Sequence, residues 1–113
     1  IMLAAEHKLN NLILIIDNNK ATMLDFSKNI IDLRPLQEKF RAFKWEVKLV
    51  DGHNVKEVYQ SLKELKEKKG NYPKVLIADT IKGKGVPRLE NDSLSHIRML
   101  KEDEIDKIIE KLK

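Results

Sequence analysis

The stretch that most constrains the fold runs from Leu12 to Asn19 and reads Leu-Ile-Leu-Ile-Ile-Asp-Asn-Asn. Its five consecutive apolar residues are typical of a strand buried on both faces of a parallel sheet, and the run is too short to cross a membrane. Asp17, Asn18 and Asn19 would follow this strand at its carboxyl end, the edge of an open α/β sheet where ligands usually bind. These residues alone leave a second interpretation open, because Asp and Asn side chains also bond nearby backbone in ordinary turns.

The rest of the chain alternates between helix and strand patterns. Residues 45–49 alternate apolar and polar side chains, which indicates a half-exposed strand near a sheet edge. Asn54 and Glu57 form a capping pair at the start of the clearest helix, and Val75 to Ala78 form a second unbroken apolar run, hence another buried strand. This order predicts an α/β fold, with a mainly parallel sheet whose strands are joined by right-handed crossovers and flanked by helices.

Helical periodicity predicts the elements that cover this sheet. Residues 1–8 resemble the end of a helix whose beginning is missing, and Pro35 begins a later one. The predicted inward-facing residues of the later helices are Leu36, Phe40 and Phe43, then Val55, Val58, Tyr59, Leu62 and Leu65, and finally Ile105, Ile108, Ile109 and Leu112.

Size and composition narrow the classes of function. The 113 residues suffice for one domain, and the absence of cysteine excludes disulfides and thiolate chemistry. Three scattered histidines do not favour a zinc site, so any metal should be bound through oxygen. The formal charge is +4, but both signs interleave along residues 63–69, which does not favour nucleic acid as a partner. Neither a signal-peptide pattern nor a membrane-spanning run is present, so we expect a cytoplasmic protein without a membrane partner.

The segment from Thr80 to Pro87 contains Gly83 and Gly85, with Lys82 before them and Lys84 between them. Glycines allow backbone to approach a ligand closely, and lysines can meet phosphate. A lone Gly-x-Gly is nevertheless a weak signal, and a flexible surface turn explains the same residues equally well.

Four stretches in register resemble the transketolase family. They are Ala4-Ala5 with His7-Lys8-Leu9-Asn10-Asn11-Leu12, the strand into Asp17-Asn18-Asn19, the group Phe40, Phe43, Trp45 and Val47 with Val50-Asp51-Gly52-His53, and Thr80-Ile81-Lys82-Gly83-Lys84-Gly85-Val86. The resemblance covers essentially residues 1–113 and matches the latter part of the diphosphate-binding (PP) domain, as in the N-terminal subunit of split transketolases. It implies part of a three-layer thiamine diphosphate-binding fold and a transferase that moves a two-carbon ketol unit between sugar phosphates.

The resemblance also implies a set of site residues. A divalent metal, Mg²⁺ or Ca²⁺, would be bound by the Asn19 side chain and the Ala21 carbonyl, which are the hard oxygen ligands that these ions prefer. Met23 and Ile81 would contact the thiamine rings, and His96 would lie near the diphosphate and the substrate. From the residues alone, Met23 and Ile81 could equally belong to a core, and His96 could be an ordinary surface histidine.

The chain departs from the family pattern at several places. The Gly-Asp-Gly motif that supplies the metal aspartate would lie ahead of residue 1, and the catalytic glutamate belongs to a pyrimidine-binding domain or subunit. Lys44 replaces a customary glycine, Leu24-Asp25 stands where Asp-Gly is common, and Ser95-His96-Ile97 stands where Trp-His-Tyr or His-Gly is usual. The resemblance thus implies that the chain works with the missing part of its domain and a partner unit, in a dimer of such units.

Two other functions remain open. The chain could be a non-catalytic α/β module, a degenerate paralogue or truncated product that keeps the fold and a subunit interface, which the missing motif favours. The other hypothesis, a nucleic-acid-binding domain, is supported only by the net charge.

Overall fold

The computed structural model describes residues 1–90 and 92–112, which form two units. The first unit comprises residues 1–18 and 33–80, and contains α1 (Met2–Glu6), β1 (Ile13–Asn18), α3 (Leu36–Ala42), β2 (Glu46–Asp51), α4 (Val55–Glu67) and β3 (Lys74–Asp79). The second comprises residues 19–32 and the described residues after Thr80, and contains α2 (Ser27–Ile30), α5 (Pro87–Glu90) and α6 (Glu102–Leu112).

The strands of the first unit form one parallel sheet in the order β1–β3–β2. The register pairs Asn18 with Asp79 and Asp51 with Asp79, so these three residues form one row at the carboxyl end of the sheet. The predicted α/β fold with a parallel sheet is confirmed, and the two apolar runs, in β1 and β3, pair directly with each other. β2 lies at an edge, as its alternating pattern indicates.

Burial distinguishes the two apolar runs. Val75, Leu76 and Ile77 of β3 are at most 1% exposed because this strand is central, as predicted. The prediction that Leu12 to Ile16 is buried on both faces is wrong, since Ile15 is 57% exposed. β1 is an edge strand in this chain, and α4 packs on β2 and β3, which leaves the α4 side of β1 uncovered at Ile15. The strand also begins at Ile13 and includes Asp17 and Asn18, which the sequence had placed beyond its end.

Helices pack on both faces of the sheet. On one face, Phe40 of α3 meets Trp45 edge-on with 5.4 Å between ring centroids, and both join Val75 and Ile77 in the core. The residues that pack against this cluster are Ala4, Ala5, Leu14, Ile16, Leu36, Phe43 and Val47. The prediction that α3 turns Leu36, Phe40 and Phe43 inward is therefore confirmed.

The other face is covered by α4, whose Leu65 joins Val50, Leu76 and Ala78 in a second core cluster. The helix begins as predicted, since the Asn54 side chain accepts a hydrogen bond from Glu57 N at 3.1 Å. Its buried stripe is narrower than predicted. Val58 and Leu62 pack inward, but Val55 and Tyr59 are 81% and 67% exposed, because they lie at the margin of the apolar stripe.

In the second unit, α6 begins with a reciprocal cap. Glu104 N donates to the Lys101 carbonyl, and Lys101 N donates to Glu104 Oε2 at 2.9 Å. Glu104 also pairs with Arg88 of α5. Within the described residues, none of the helices has the length and apolar character needed to cross a membrane.

Candidate functional site at the carboxyl end of the sheet

Polar side chains are linked across the carboxyl ends of β1 and β3. Asn18 Nδ2 donates a hydrogen bond to Asp79 Oδ1 at 3.1 Å, and the Thr80 hydroxyl donates to Asp17 Oδ1. The sequence singled out Asp17 and Asn18, named Thr80 only as part of the Gly-x-Gly segment, and missed Asp79. The available signal was that both follow an apolar run that ends at the same edge of the sheet, as parallel strands do.

Gly52 closes the turn from β2 to α4 against this edge. Its N–H donates to the Asp79 carbonyl at 2.9 Å. A Cβ atom at residue 52 would lie only 2.3 Å from Thr80 Cγ2 and 3.1 Å from Ala78 Cβ. Glycine is therefore needed at this turn because the end of β3 packs directly against it.

The loop that follows β1 carries the predicted metal ligands Asn19 and Ala21, two residues apart. The Asn19 side chain is half-buried, and its Oδ1 accepts a hydrogen bond from Ala21 N at 3.0 Å. This is the contact that the turn interpretation expects. The role of Asn19 as a metal ligand stays a prediction.

The same loop is stiffened by its own side chains. Thr22 Oγ1 donates to the Asp25 carbonyl at 2.8 Å, and Ala21 and Phe26 form an antiparallel bridge. The Asn29 side chain donates to Asp25 Oδ2 at 2.9 Å and, with the Phe26 N–H, lowers the pKa of the Asp25 carboxyl below its ordinary value. The segment that follows β1 thus holds a defined conformation.

The predicted apolar cofactor contacts, Met23 and Ile81, are 60% and 39% exposed. The alternative that they are core residues of this chain therefore does not hold. Exposed apolar side chains next to polar loops can contact a bound ring, which is what the resemblance implies for both.

The Gly-x-Gly segment is shaped by packing within the second unit. Gly83 has φ 75°, and a Cβ atom there would lie 2.6 Å from Leu89 Cβ. Gly85 has φ 94°, and its N–H donates to Glu90 Oε1 at 2.9 Å. Local structure thus explains the glycine at both positions, since each has a positive φ.

His96 lies exposed in a turn that Asp92 organises. Asp92 Oδ1 accepts from Leu94 N at 2.9 Å, and Asp92 Oδ2 accepts from Arg98 Nε at 2.6 Å. The Arg98 bond lowers the pKa of the Asp92 carboxyl and raises that of the Arg98 guanidinium. Beside His96, the buried Ser95 hydroxyl has no hydrogen-bond partner among the described residues. It can therefore still donate or accept a hydrogen bond.

The predicted metal ligands of this chain are oxygen atoms, which a hard metal ion prefers, but two of them are too few to complete its coordination. Asn19 Oδ1 and the Ala21 carbonyl are oxygen donors from one ordered loop, which suits Mg²⁺ or Ca²⁺. In the part of the chain that the structure describes, no group of three His, Cys, Asp or Glu side chains could hold a metal ion. Further ligands would have to come from the diphosphate and from residues outside this chain.

Comparison with known proteins identifies the family. The model of the transketolase thiamine diphosphate binding domain matches residues 1–113. A 6-deoxy-6-sulfo-D-fructose transketolase subunit from a Clostridium species is 36% identical over 102 residues, which are 90% of this chain and 37% of that protein. An apulose-4-phosphate transketolase subunit from Actinobacillus succinogenes is 36% identical over 110 residues, which are 97% of this chain and 39% of that protein.

The fold agrees with that match. The crystal structure of transketolase from Campylobacter jejuni superposes with a TM-score of 0.84 and 32% identity, over 97% of this chain and 17% of that one. The chain thus spans well under half the length of these relatives. Since the domain model matches every residue from 1 to 113, the chain belongs to the transketolase family, in its thiamine diphosphate binding domain.

Proposed function

We propose that this chain is one part of a thiamine diphosphate-dependent transketolase that transfers a two-carbon ketol unit from a ketose phosphate to an aldose phosphate. The observation that carries the proposal is the domain match over residues 1–113, together with an ordered Asn19–Ala21 loop directly after a strand of the parallel sheet. The carboxyl ends of such strands are where open α/β sheets bind ligands.

In this proposal, the chain's residues bind and orient the cofactor. Asn19 Oδ1 and the Ala21 carbonyl are two of the ligands of a magnesium ion that holds the diphosphate. The exposed side chains of Met23 and Ile81 contact the thiamine rings, and His96 lies near the diphosphate and the substrate. When bound, thiamine diphosphate supplies the electron sink for carbanion chemistry, while the protein positions the cofactor and excludes water.

The activity belongs to a larger assembly. The chain spans 37% and 39% of the two relatives from Clostridium and Actinobacillus, so a complete site needs residues outside it. We propose that these come from the remainder of the same domain and from a pyrimidine-binding domain or subunit, in a dimer of such units. Two ligands also compete poorly with water for Mg²⁺, so the chain alone should be inactive.

The substrate class is a phosphorylated sugar, and a role in pentose phosphate metabolism is part of the proposal. The two relatives are named for 6-deoxy-6-sulfo-D-fructose and for apulose 4-phosphate, which are different sugars. Substrate choice therefore varies among proteins of this similarity, and a panel of ketose donors is needed to establish it.

Reconstitution tests the proposal. The chain is co-expressed with a segment that carries a Gly-Asp-Gly motif and with a pyrimidine-binding partner. Calorimetry then measures thiamine diphosphate binding with and without Mg²⁺. We expect metal-dependent binding and ketol transfer by the assembly, and neither by the chain alone. An assembly that forms but binds no cofactor would contradict the proposal and favour the non-catalytic module.

A further inference from the structure

A cavity of about 320 Å³ lies at the amino end of the sheet, within the first unit. Glu46 and Lys74, which begin β2 and β3, line it. Each strand has six residues, so the cavity is about 17 Å from the Asn18–Asp79 row at a rise of about 3.3 Å per residue. It is therefore separate from the polar groups at the carboxyl ends of the strands.

The lining of this cavity carries the positive charge of the chain. It includes five of the 22 Lys and Arg residues and one of the 18 acidic residues, namely Arg41, Lys44, Lys68, Lys69, Lys74 and Glu46. The remaining 17 residues of each sign cancel, so the lining has the same net charge, +4, as the whole chain. This concentration of positive charge could not be recognised in the sequence, where both signs alternate along residues 63–69. It arises because the fold brings together residues from separate elements.

Helix dipoles offset only part of this charge. α3 ends at Ala42 and α4 ends at Glu67, next to the lining residues Arg41 and Lys68. Each helix carboxyl end contributes at most about half a negative charge. Together they would cancel about one of the four positive charges. Arg41 is also paired with Glu38, which is not a lining residue, so a field of about two positive charges remains.

Two lysines at the cavity are in energetically unfavourable arrangements, one because of burial and the other because of its backbone conformation. Lys74 is only 6% exposed, and its ammonium donates to the Lys68 carbonyl at 2.7 Å, which uses one of its three N–H donors. Lys44 has φ 63°, a conformation that disfavours any residue with a Cβ, and its ammonium lies 5.9 Å from the Tyr72 ring centroid. Lys44 takes this conformation at the end of α3, where its N–H donates to the Arg41 carbonyl, so its positive φ has a structural reason. The burial of Lys74 is therefore the observation that points to a negatively charged ligand.

We propose that this cavity binds a small polyanion that carries one or more phosphate groups. The volume lies at the lower end of the range for small-molecule sites, about 300 to 1,000 Å³. A phosphate group carries about 1.5 to 2 negative charges at pH 7, so even one of them matches the residual positive charge, whereas a monovalent anion would leave part of it uncompensated. Lysine and arginine donors also suit phosphate oxygens.

The sole tryptophan provides a local reporter, since Trp45 lines the cavity. Tripolyphosphate is titrated into the full chain with a chelator present and ionic strength held constant, while tryptophan fluorescence and calorimetric heat are recorded. The test variant combines Lys44→Gly with Lys69→Ala, and Lys44→Gly also relieves the positive φ, so the fold should be retained. The matched control combines Lys56→Ala with Lys63→Ala, which removes two exposed lysines outside the lining.

We expect saturable binding that weakens by about tenfold or more in the Lys44→Gly/Lys69→Ala chain and less than about twofold in the control, since hydrogen bonds to charged groups are strong. Asn19→Ala should leave tripolyphosphate binding unchanged, which distinguishes this site from the proposed cofactor site. A nucleoside triphosphate titrated in parallel tells whether an organic group adds affinity to the phosphates. The proposal is overturned by absence of binding in both signals, by equal weakening in the two double variants, or by affinity that rises with polynucleotide length.

Discussion

Asn18 and Asp79 join the carboxyl ends of β1 and β3 through a hydrogen bond of 3.1 Å from Asn18 Nδ2 to Asp79 Oδ1. The two residues are opposite each other in the parallel register, and both are partly buried. This contact gives Asn18 a structural role and distinguishes it from its neighbour Asn19, whose Oδ1 bonds within the following loop.

Replacing Asn18 should therefore lower stability. We expect Asn18→Ala to reduce the free energy of unfolding by about 1 kcal/mol, because one partly buried hydrogen bond is lost and Asp79 loses a donor. Urea unfolding measures the change. The matched control is Asn11→Ala, at an exposed position before β1, which should change stability by less than about 0.5 kcal/mol. Equal losses in both variants would contradict the role given to the Asn18–Asp79 bond.

Replacing Asn19 should instead weaken binding of the cofactor. In the reconstituted assembly, we expect Asn19→Ala to weaken Mg²⁺-dependent binding of thiamine diphosphate far more than Asn18→Ala, because only the first removes a proposed metal ligand. Calorimetric titration of folded assembly, with the metal varied, gives both affinities. Similar affinities in the two variants would show that Asn19 only caps its own loop through Ala21 N.

Gly52 and Gly70 form a second matched pair. A Cβ atom at residue 52 would lie 2.3 Å from Thr80 Cγ2, whereas nothing lies within 4 Å of one at residue 70. We expect Gly52→Ala to destabilise the chain by about 1 to 3 kcal/mol through overpacking. Gly70→Ala should be neutral or stabilising by up to about 1 kcal/mol, because it restricts the unfolded chain. Thermal unfolding of both variants tests this, and a harmless Gly52→Ala would mean that the turn can move away from Thr80.

Two carboxyl groups should titrate below their ordinary range for different reasons. The pKa of Asp92 is lowered mainly by Arg98, and that of Asp25 mainly by Asn29. A lowered pKa in the folded chain stabilises it above the unfolded pKa of about 3.9, and this contribution is lost as the pH falls through the folded pKa. We expect Arg98→Ala to raise the pKa of Asp92 alone, and Asn29→Ala to raise that of Asp25 alone.

Carboxyl carbon NMR shifts recorded against pH measure both groups, and each variant is the control for the other. The Leu94 amide, which donates to Asp92, should report the same transition as the Asp92 carboxyl. If Arg98→Ala left the pKa of Asp92 unchanged, the 2.6 Å bond would not exist in solution.

The exposed apolar face of β1 should promote association of the isolated chain. Ile15 is 57% exposed on an edge strand, and edge strands present unpaired backbone groups that pair with other chains. We expect Ile15→Lys to increase the monomer fraction, measured by light scattering after size exclusion. Val55→Lys, at an exposed apolar residue on α4, is the control and should change it less. A concentration-independent monomer with a sharp two-state melt would contradict the expectation.

The candidate site could be predicted from the sequence only in part. The resemblance assigns roles to Asn19, Ala21, Met23, Ile81 and His96, and these roles stay predictions. The sequence could not reveal that Asp79 and Thr80 bond to Asn18 and Asp17, because these pairs are about sixty residues apart and meet only through strand pairing.

Local patterns in the sequence determined the element types. The apolar runs, the Asn54 cap and the alternation after Trp45 act over a few residues, and each gave the observed strand or helix. Tertiary structure decided what depends on neighbours. It made β3 rather than β1 the central strand, exposed Ile15 where α4 does not reach, and gathered scattered lysines around one cavity. The physical reason is that burial and electrostatic potential are set by which elements pack side by side, and periodicity within one element carries no information about its neighbours.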